Sequence, residues 1–184
     1  MPHNIHGGGS QTNINGLAFE SGVMLRDSLL NAGFTITDEK FSSGKNHSPR
    51  SGSVFFNSTF VGKYFVKHGL YADLLAPNRI SWKEHISKQL LPDDAFFNCT
   101  NDTLYIIEKK FQATDGSVDE KLATFHFKCQ EYEKLVRPLG LAVHFIYVLS
   151  EWYNQSKYND YFSYMEQLGC EHYFAQLPLT AIGL

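Results

Sequence analysis

Apolar and polar residues along this chain follow two repeats, one near 3.6 residues and one of 2, and together they predict a mixture of helices and strands. Leu17, Phe19, Met24, Leu25, Leu29 and Leu30 recur at loosely helical spacing and stop at Ala32-Gly33, a glycine C-cap. Val54 to Phe56 and Phe60 to Val66 read as strands, Tyr71 to Leu75 as a short helix closed before Pro77, and Trp82 to Gln89 as a further short segment. Between Leu91 and Gln112 a short apolar run, a polar turn (Asn98 to Thr103) and a second apolar run, Leu104-Tyr105-Ile106-Ile107, predict a β-hairpin. Ser117-Val118-Asp119-Glu120 matches a capping box, after which Val118, Leu122, Phe125, Cys129, Tyr132 and Val136 repeat at helical spacing as a core stripe that buries Cys129. Arg137-Pro138-Leu139-Gly140 closes this helix. Leu141 to Leu149 is almost continuously apolar, as a strand buried on both faces is, with His144 as a satisfied core histidine. Asn159 to Leu168 gives another helix and His172 to Leu177 a last strand. The order of elements predicts an α/β fold, a single domain over residues 17–184 with a central mixed β-sheet flanked by helices. Residues 1–16 lack periodicity and read as a flexible arm.

Composition narrows the function classes. With 184 residues, 43% of them hydrophobic and 15% aromatic, the chain suffices for one domain with a substantial core and leaves no room for a second. A formal net charge of -3 gives no whole-molecule field for a polyanion, so any nucleic-acid surface must be built from local basic patches. Three cysteines, widely spaced and without a CxxC or histidine partner pattern, indicate neither a disulfide framework nor a zinc site and fit a reducing cytoplasm. No apolar run is long enough for a membrane span, and the amino terminus does not read as a signal peptide.

The predicted hairpin carries acid on both arms. Strand alternation puts Glu108, Lys110 and Gln112 on one face and Tyr105, Ile107, Lys109 and Phe111 on the other. If the preceding strand pairs with this one, the carboxylate of Asp93, or of its neighbour Asp94, comes close to Glu108. Two carboxylates side by side repel unless a cation lies between them, and oxygen ligands of this kind suit Mg²⁺. Basic residues gather elsewhere. Lys40 to Ser53, with Lys45 and Arg50, is a loop able to contact backbone phosphates or simply a solvated one, and Lys63 and Lys67 interleave with Tyr64, Phe65 and Tyr71. Gly7-Gly8-Gly9-Ser10 offers either a linker or exposed backbone N–H groups for phosphate. Glu20 lies in the first turns of the first helix, where a carboxylate interacts favourably with the dipole.

Pro92-Asp93, followed on the next strand by Glu108-x-Lys110, resembles the active-site signature of the PD-(D/E)xK nucleases, the fold of most type II restriction endonucleases. Gly7-Gly8-Gly9-Ser10, with Thr12-Asn13 and Asn15-Gly16-Leu17 before Phe19-Glu20, is similar to the start of some bacterial restriction enzymes. The resemblance implies a restriction endonuclease-like fold and a Mg²⁺-dependent endonuclease acting on double-stranded DNA, with Mn²⁺ able to substitute. It implies Asp93, Glu108, the backbone carbonyl of Lys109 and Glu20 as metal ligands. Lys110 would orient or deprotonate the attacking water, and Gln112 would take a supporting role by its shared face. Truncating Lys109, whose side chain lies on the opposite face of the strand, would cost cleavage far less than truncating Lys110. Lys45, Arg50, Lys63 and Lys67 would contact DNA. A homodimer acting on a palindrome, with a cognate DNA methyltransferase in the same system, completes the expectation. A repair, junction-resolving or nicking nuclease of the same fold, or a non-catalytic DNA-binding or interaction protein, stands as the alternative.

Overall fold

Strand-forming sequence dominates the middle of the chain. In the computed structural model, which describes residues 15–19, 22–44, 47–113 and 119–184, it forms one seven-stranded sheet. The strands are β1 (Thr35–Phe41), β2 (Pro49–Phe56), β3 (Thr59–Phe65), β4 (Asp94–Asn98), β5 (Thr103–Lys110), β6 (Ala142–Leu149) and β7 (Glu171–Phe174), and their order in space is their order in the chain. β1 to β5 run antiparallel to their neighbours, whereas β5, β6 and β7 are parallel. Parallel neighbours need crossover connections. Helix α2 (Phe125–Val136) supplies the first and α3 (Asn159–Gln167) the second; α1 (Leu25–Asn31) precedes the sheet. The fold is thus α/β with a mixed sheet, as the order of elements predicts.

Apolar residues on each sheet face meet a different set of helices. On one face Phe65, Ala95, Leu104, Ile106 and Tyr147 pack against Phe125, Tyr132 and Leu135 of α2. On the other, Tyr64, Phe96, Tyr105, Ile107 and Ile146 meet Leu25 and Leu29 of α1 and Ile182 near the carboxyl end. β6 contributes to both cores, which accounts for its unbroken apolar run.

Several boundaries differ from the sequence reading. β1 has no counterpart in the sequence reading because it is an edge strand, mostly exposed, with irregular register between Thr37 and Lys40 and Asp38 at φ 52° that break its alternation. Lys40 and Phe41 therefore belong to β1, and Arg50 to Ser53 lie within β2. The first helix is interrupted at Met24, which is extended (φ -68°, ψ 127°), and α1 starts at Leu25, whose N–H bonds the Asp94 carboxylate at 3.1 Å. Trp82 to Gln89 contains only one 3₁₀ turn, Trp82–Glu84. The arm over 1–14, the Ser117 end of the capping box, Glu20 and Lys45 lie outside the described residues. Cys129 lies at the edge of the α2 stripe and is half-buried, not core; burial and the Glu133 carboxylate push its thiol up to about 11, so it stays protonated. No helix among the described residues is long and apolar enough to cross a membrane.

Arg50 and Asp73 fix the turn that leads from β3 towards the hairpin. The guanidinium donates to Asp73 through Nε (2.8 Å) and Nη2 (3.0 Å), Ser51 Oγ donates at 2.7 Å, and Lys40 Nζ lies 3.2 Å away. Burial alone would push the Asp73 carboxyl up, but the hydrogen bonds from Arg50, Ser51 and Lys40 outweigh it and hold the group below the usual carboxylate range. A carboxyl lowered in the folded state stabilises the protein fully above its unfolded pKa, near 3.9, and loses that contribution as pH falls through the folded value. Asp73→Asn should therefore lower stability at pH 7 by on the order of 2 kcal/mol. The melting-temperature gap to wild type should hold from pH 7 to about 5 and close below about 4. A gap that widens in acid would contradict this assignment.

Candidate active site

The β4–β5 hairpin brings the acidic residues together by register. Asp94 stands opposite Ile107 and Asn98 opposite Thr103, so the residue before β4, Asp93, enters the hairpin beside Glu108. The turn is held by Asn98, whose Oδ1 accepts the Thr100 N–H at 2.8 Å and whose Nδ2 donates to the Ile182 carbonyl at 2.9 Å. Alternation then sends Glu108 and Lys110 to the α2 face and Ile107 and Lys109 to the α1 face.

The approach to Asp93 is fixed by backbone bonds. The Leu90 carbonyl accepts from Tyr71 Oη (2.7 Å) and Tyr132 Oη (3.0 Å), and the Pro92 carbonyl accepts the Lys67 N–H at 3.0 Å. Burial pushes the Tyr71 hydroxyl up to about 12. Burial, and then the nearby Glu108 charge, holds Tyr132 well above the ordinary phenol range, so both remain donors at neutral pH. Gly69 allows the turn after β3 to pass under β2, since a Cβ there would lie 2.1 Å from the Arg50 carbonyl oxygen.

Around Glu108 the polar groups converge. Its side chain is only 6% exposed, and Oε2 accepts from Lys110 Nζ at 2.8 Å and Lys128 Nζ at 3.0 Å. Lys110 Nζ also donates to the Lys109 carbonyl at 3.1 Å and lies 3.9 Å from Asp93 Oδ2, which itself accepts the Lys109 N–H at 2.8 Å. One ammonium therefore sits among two carboxylates and a backbone carbonyl. The Tyr147 ring centroid is 6.0 Å from the same nitrogen, and Glu108 helps burial hold the Tyr147 hydroxyl above its ordinary range.

Asp94 points the other way. Its Oδ2 meets Lys109 Nζ at 2.6 Å and accepts the Leu25 N–H, with the two side chains 2% and 4% exposed. Asp94 is thus engaged on the α1 face, leaving Asp93 as the aspartate on the face of Glu108. The Lys109 side chain, placed on the opposite face from Lys110 as strand alternation predicts, neutralises this buried carboxylate, so its truncation bears on stability.

The other predicted residues divide. Gln112 lies past the end of β5, where its N–H donates to Ser150 Oγ at 3.1 Å and its Oε1 accepts from Tyr153 Oη at 3.0 Å, tying the end of β5 to the turn after β6. Arg50 is engaged by Asp73. Lys63 is on β3 opposite Phe97, and Lys67 is exposed beside Pro92, in the left-handed region at φ 48°. Sequence reading missed Lys128. It follows Phe125 by three and precedes Tyr132 by four, so it shares the inward face of α2, and that spacing alone could have placed it against the sheet.

Among the described residues no group of three or more His, Cys, Asp or Glu side chains is placed to hold a metal ion. Mg²⁺ does not need one, since it is commonly bound through one or two carboxylates while keeping several waters. Asp93 Oδ2, Glu108 Oε2 and the Lys109 carbonyl are hard oxygen donors already gathered around a cation, the Lys110 ammonium, and fit that requirement. A cleft of about 460 Å³ lined by Tyr105, His144, Glu171 and Tyr173 lies at the opposite end of β5 and β6, beside Thr103 and Ala142, and is separate from this cluster. There His144 Nε2 is 3.0 Å from Glu171 Oε1 and the ring is partly exposed, so the histidine is satisfied at the rim of the sheet and not in its core. Comparison with family models, curated proteins and solved structures finds no match to this chain.

Proposed function

We propose that this protein is a Mg²⁺-dependent endonuclease of the PD-(D/E)xK type that hydrolyses phosphodiester bonds in double-stranded DNA, as a type II restriction enzyme does. The observation that carries the reading is the convergence of Asp93, Glu108 and the Lys109 carbonyl on Lys110 Nζ. The sheet supports it as well: β4 and β5 pair antiparallel so that Asp93 enters beside Glu108, and β6 adds parallel to β5 after the α2 crossover that carries Lys128.

Asp93, Glu108 and the Lys109 carbonyl would hold the metal, which when bound lowers the pKa of a coordinated water and neutralises charge on a phosphate. Lys110 serves at the same point. Its ammonium can hold the attacking water or donate to a non-bridging oxygen, where negative charge grows as the water oxygen bonds to phosphorus in the pentavalent transition state, before the leaving oxygen departs with the electron pair of its P–O bond. Tyr71 and Tyr132 keep Asp93 in place by holding Leu90. Lys67 and Lys63 are the described candidates for backbone phosphate contact, whereas Arg50 acts by fixing β2 to Asp73. Cutting both strands of a symmetric site with a chain this small calls for a two-fold dimer, and a methyltransferase of the same specificity would protect host DNA.

Purified protein incubated with supercoiled plasmid and phage DNA should give discrete fragments with Mg²⁺ or Mn²⁺ and none in EDTA. Nicked circles in place of linear product would favour the nicking or repair alternative. Intact DNA under all metal conditions would favour the non-catalytic one.

A further inference from the structure

Lys128 enters the cluster from α2, not from the hairpin, and ends on the same oxygen as Lys110. Glu108 Oε2 is 2.8 Å from Lys110 Nζ and 3.0 Å from Lys128 Nζ, so one carboxylate oxygen balances two ammonium groups. We propose that Lys128 is a second active-site cation that neutralises Glu108 in the metal-free protein and transfers to a phosphate of the DNA when a divalent cation takes Glu108. The inference rests on the nuclease reading above. Its basis is charge: Asp93 and Glu108 carry two negative charges, Lys110 and Lys128 two positive ones, and these four side chains balance without metal.

Adding a divalent cation at the same oxygen leaves the cluster with an excess of two positive charges, and like charges at such distances repel strongly in a partly shielded site. Lys110 starts from the hairpin itself, two residues after Glu108 on β5, so it stays beside the reacting phosphate whichever oxygens the metal takes. Lys128 has a flexible stem, starts from a helix outside the hairpin, and its side chain is 23% exposed, so it has a path to solvent. A phosphate approaching Asp93 and Glu108 supplies the negative charge it then lacks. Lys128 is in this sense a positioning residue for the metal and a contact for the substrate.

The two halves of the proposal move two equilibria in opposite directions, which loss of structure alone would not do. In a Ca²⁺ titration of the DNA-free protein followed by calorimetry, Lys128→Gln should bind Ca²⁺ about five- to tenfold more tightly than wild type, because one competing ion pair is gone. In Ca²⁺ buffer the same variant should bind duplex DNA several-fold more weakly, and the slope of log K against log salt should fall by about 1, the loss of one phosphate contact. Lys128→Arg should restore both values towards wild type. Unchanged or weaker Ca²⁺ binding by Lys128→Gln, or an unchanged salt slope, would overturn the proposal while leaving the nuclease reading intact, provided wild type binds Ca²⁺ and cleaves DNA in Mg²⁺. Wild-type protein that binds no Ca²⁺ and cuts no DNA would overturn both. Should Lys128→Gln fold poorly, Lys128→Met, which retains the stem against α2, takes the same two measurements.

Discussion

Lys110→Ala should cut the rate of DNA cleavage by about 10²- to 10⁴-fold while changing DNA affinity little, the pattern of a group that acts mainly in the transition state. The ammonium it removes is the one between Asp93 and Glu108, with the Lys109 carbonyl as third partner. Truncation leaves the carboxylates in place, so divalent-cation binding should be retained or strengthened. Single-turnover cleavage with enzyme in excess, measured beside equilibrium DNA binding in Ca²⁺, separates the two quantities. A variant that cleaves at the wild-type rate would remove Lys110 from the chemistry and with it the analogy to the nuclease motif.

The neighbouring residue should act on stability instead. Lys109→Ala leaves Asp94 buried without its cation, and breaking a buried pair in this way typically costs about 3–5 kcal/mol. For a chain of this length that is a fall in melting temperature of roughly 6–20 °C. Because Asp94 also accepts the Leu25 N–H, the loss should loosen α1 from the sheet. The molecules that remain folded keep the Lys109 carbonyl and should still cleave. Replacing both partners, with Asp94→Leu and Lys109→Met, should recover only part of the lost stability, since the apolar pair removes the unpaired charge but leaves the Leu25 N–H without its acceptor. Calorimetric melting of the single and double variants checks this: a Lys109→Ala protein that melts with wild type would mean that the pair contributes nothing.

The sequence made the central hairpin legible because its signals are local. Two apolar runs separated by a polar turn define β4 and β5, and period-2 alternation is enough to assign Glu108 and Lys110 to one face and Lys109 to the other. Asp93 could not be separated from Asp94 on the same grounds, since the choice depends on α1, which docks Leu25 onto Asp94 from 69 residues away in the chain. Arg50 looked available for phosphate because Asp73, its partner, is hidden in a short helix with no charge pattern to reveal it. Gln112 continued the alternation on paper, but β5 ends at Lys110 and the chain turns towards Ser150. β1 was invisible for a different reason: an edge strand with one partner and mostly exposed positions needs no apolar stripe. Lys128 was within reach, lying on the Phe125–Tyr132 face of a helix the periodicity identified, yet a lysine at that spacing reads as a solvated edge until a carboxylate is known to face it.

The claim that Asp93 and Glu108 hold a divalent cation for phosphodiester hydrolysis is tested most directly by measuring Mn²⁺ binding and plasmid cleavage in parallel for wild type, Asp93→Asn and Glu108→Gln. Each substitution removes one negative charge from the oxygen donors around Lys110 Nζ and keeps the side-chain shape, so folding should be preserved while both metal binding and cleavage are lost together. Glu108→Gln also releases Lys110 and Lys128 from their common oxygen, and should be the more severe of the two. Folded variants that bind Mn²⁺ and cut plasmid as wild type does would contradict the account.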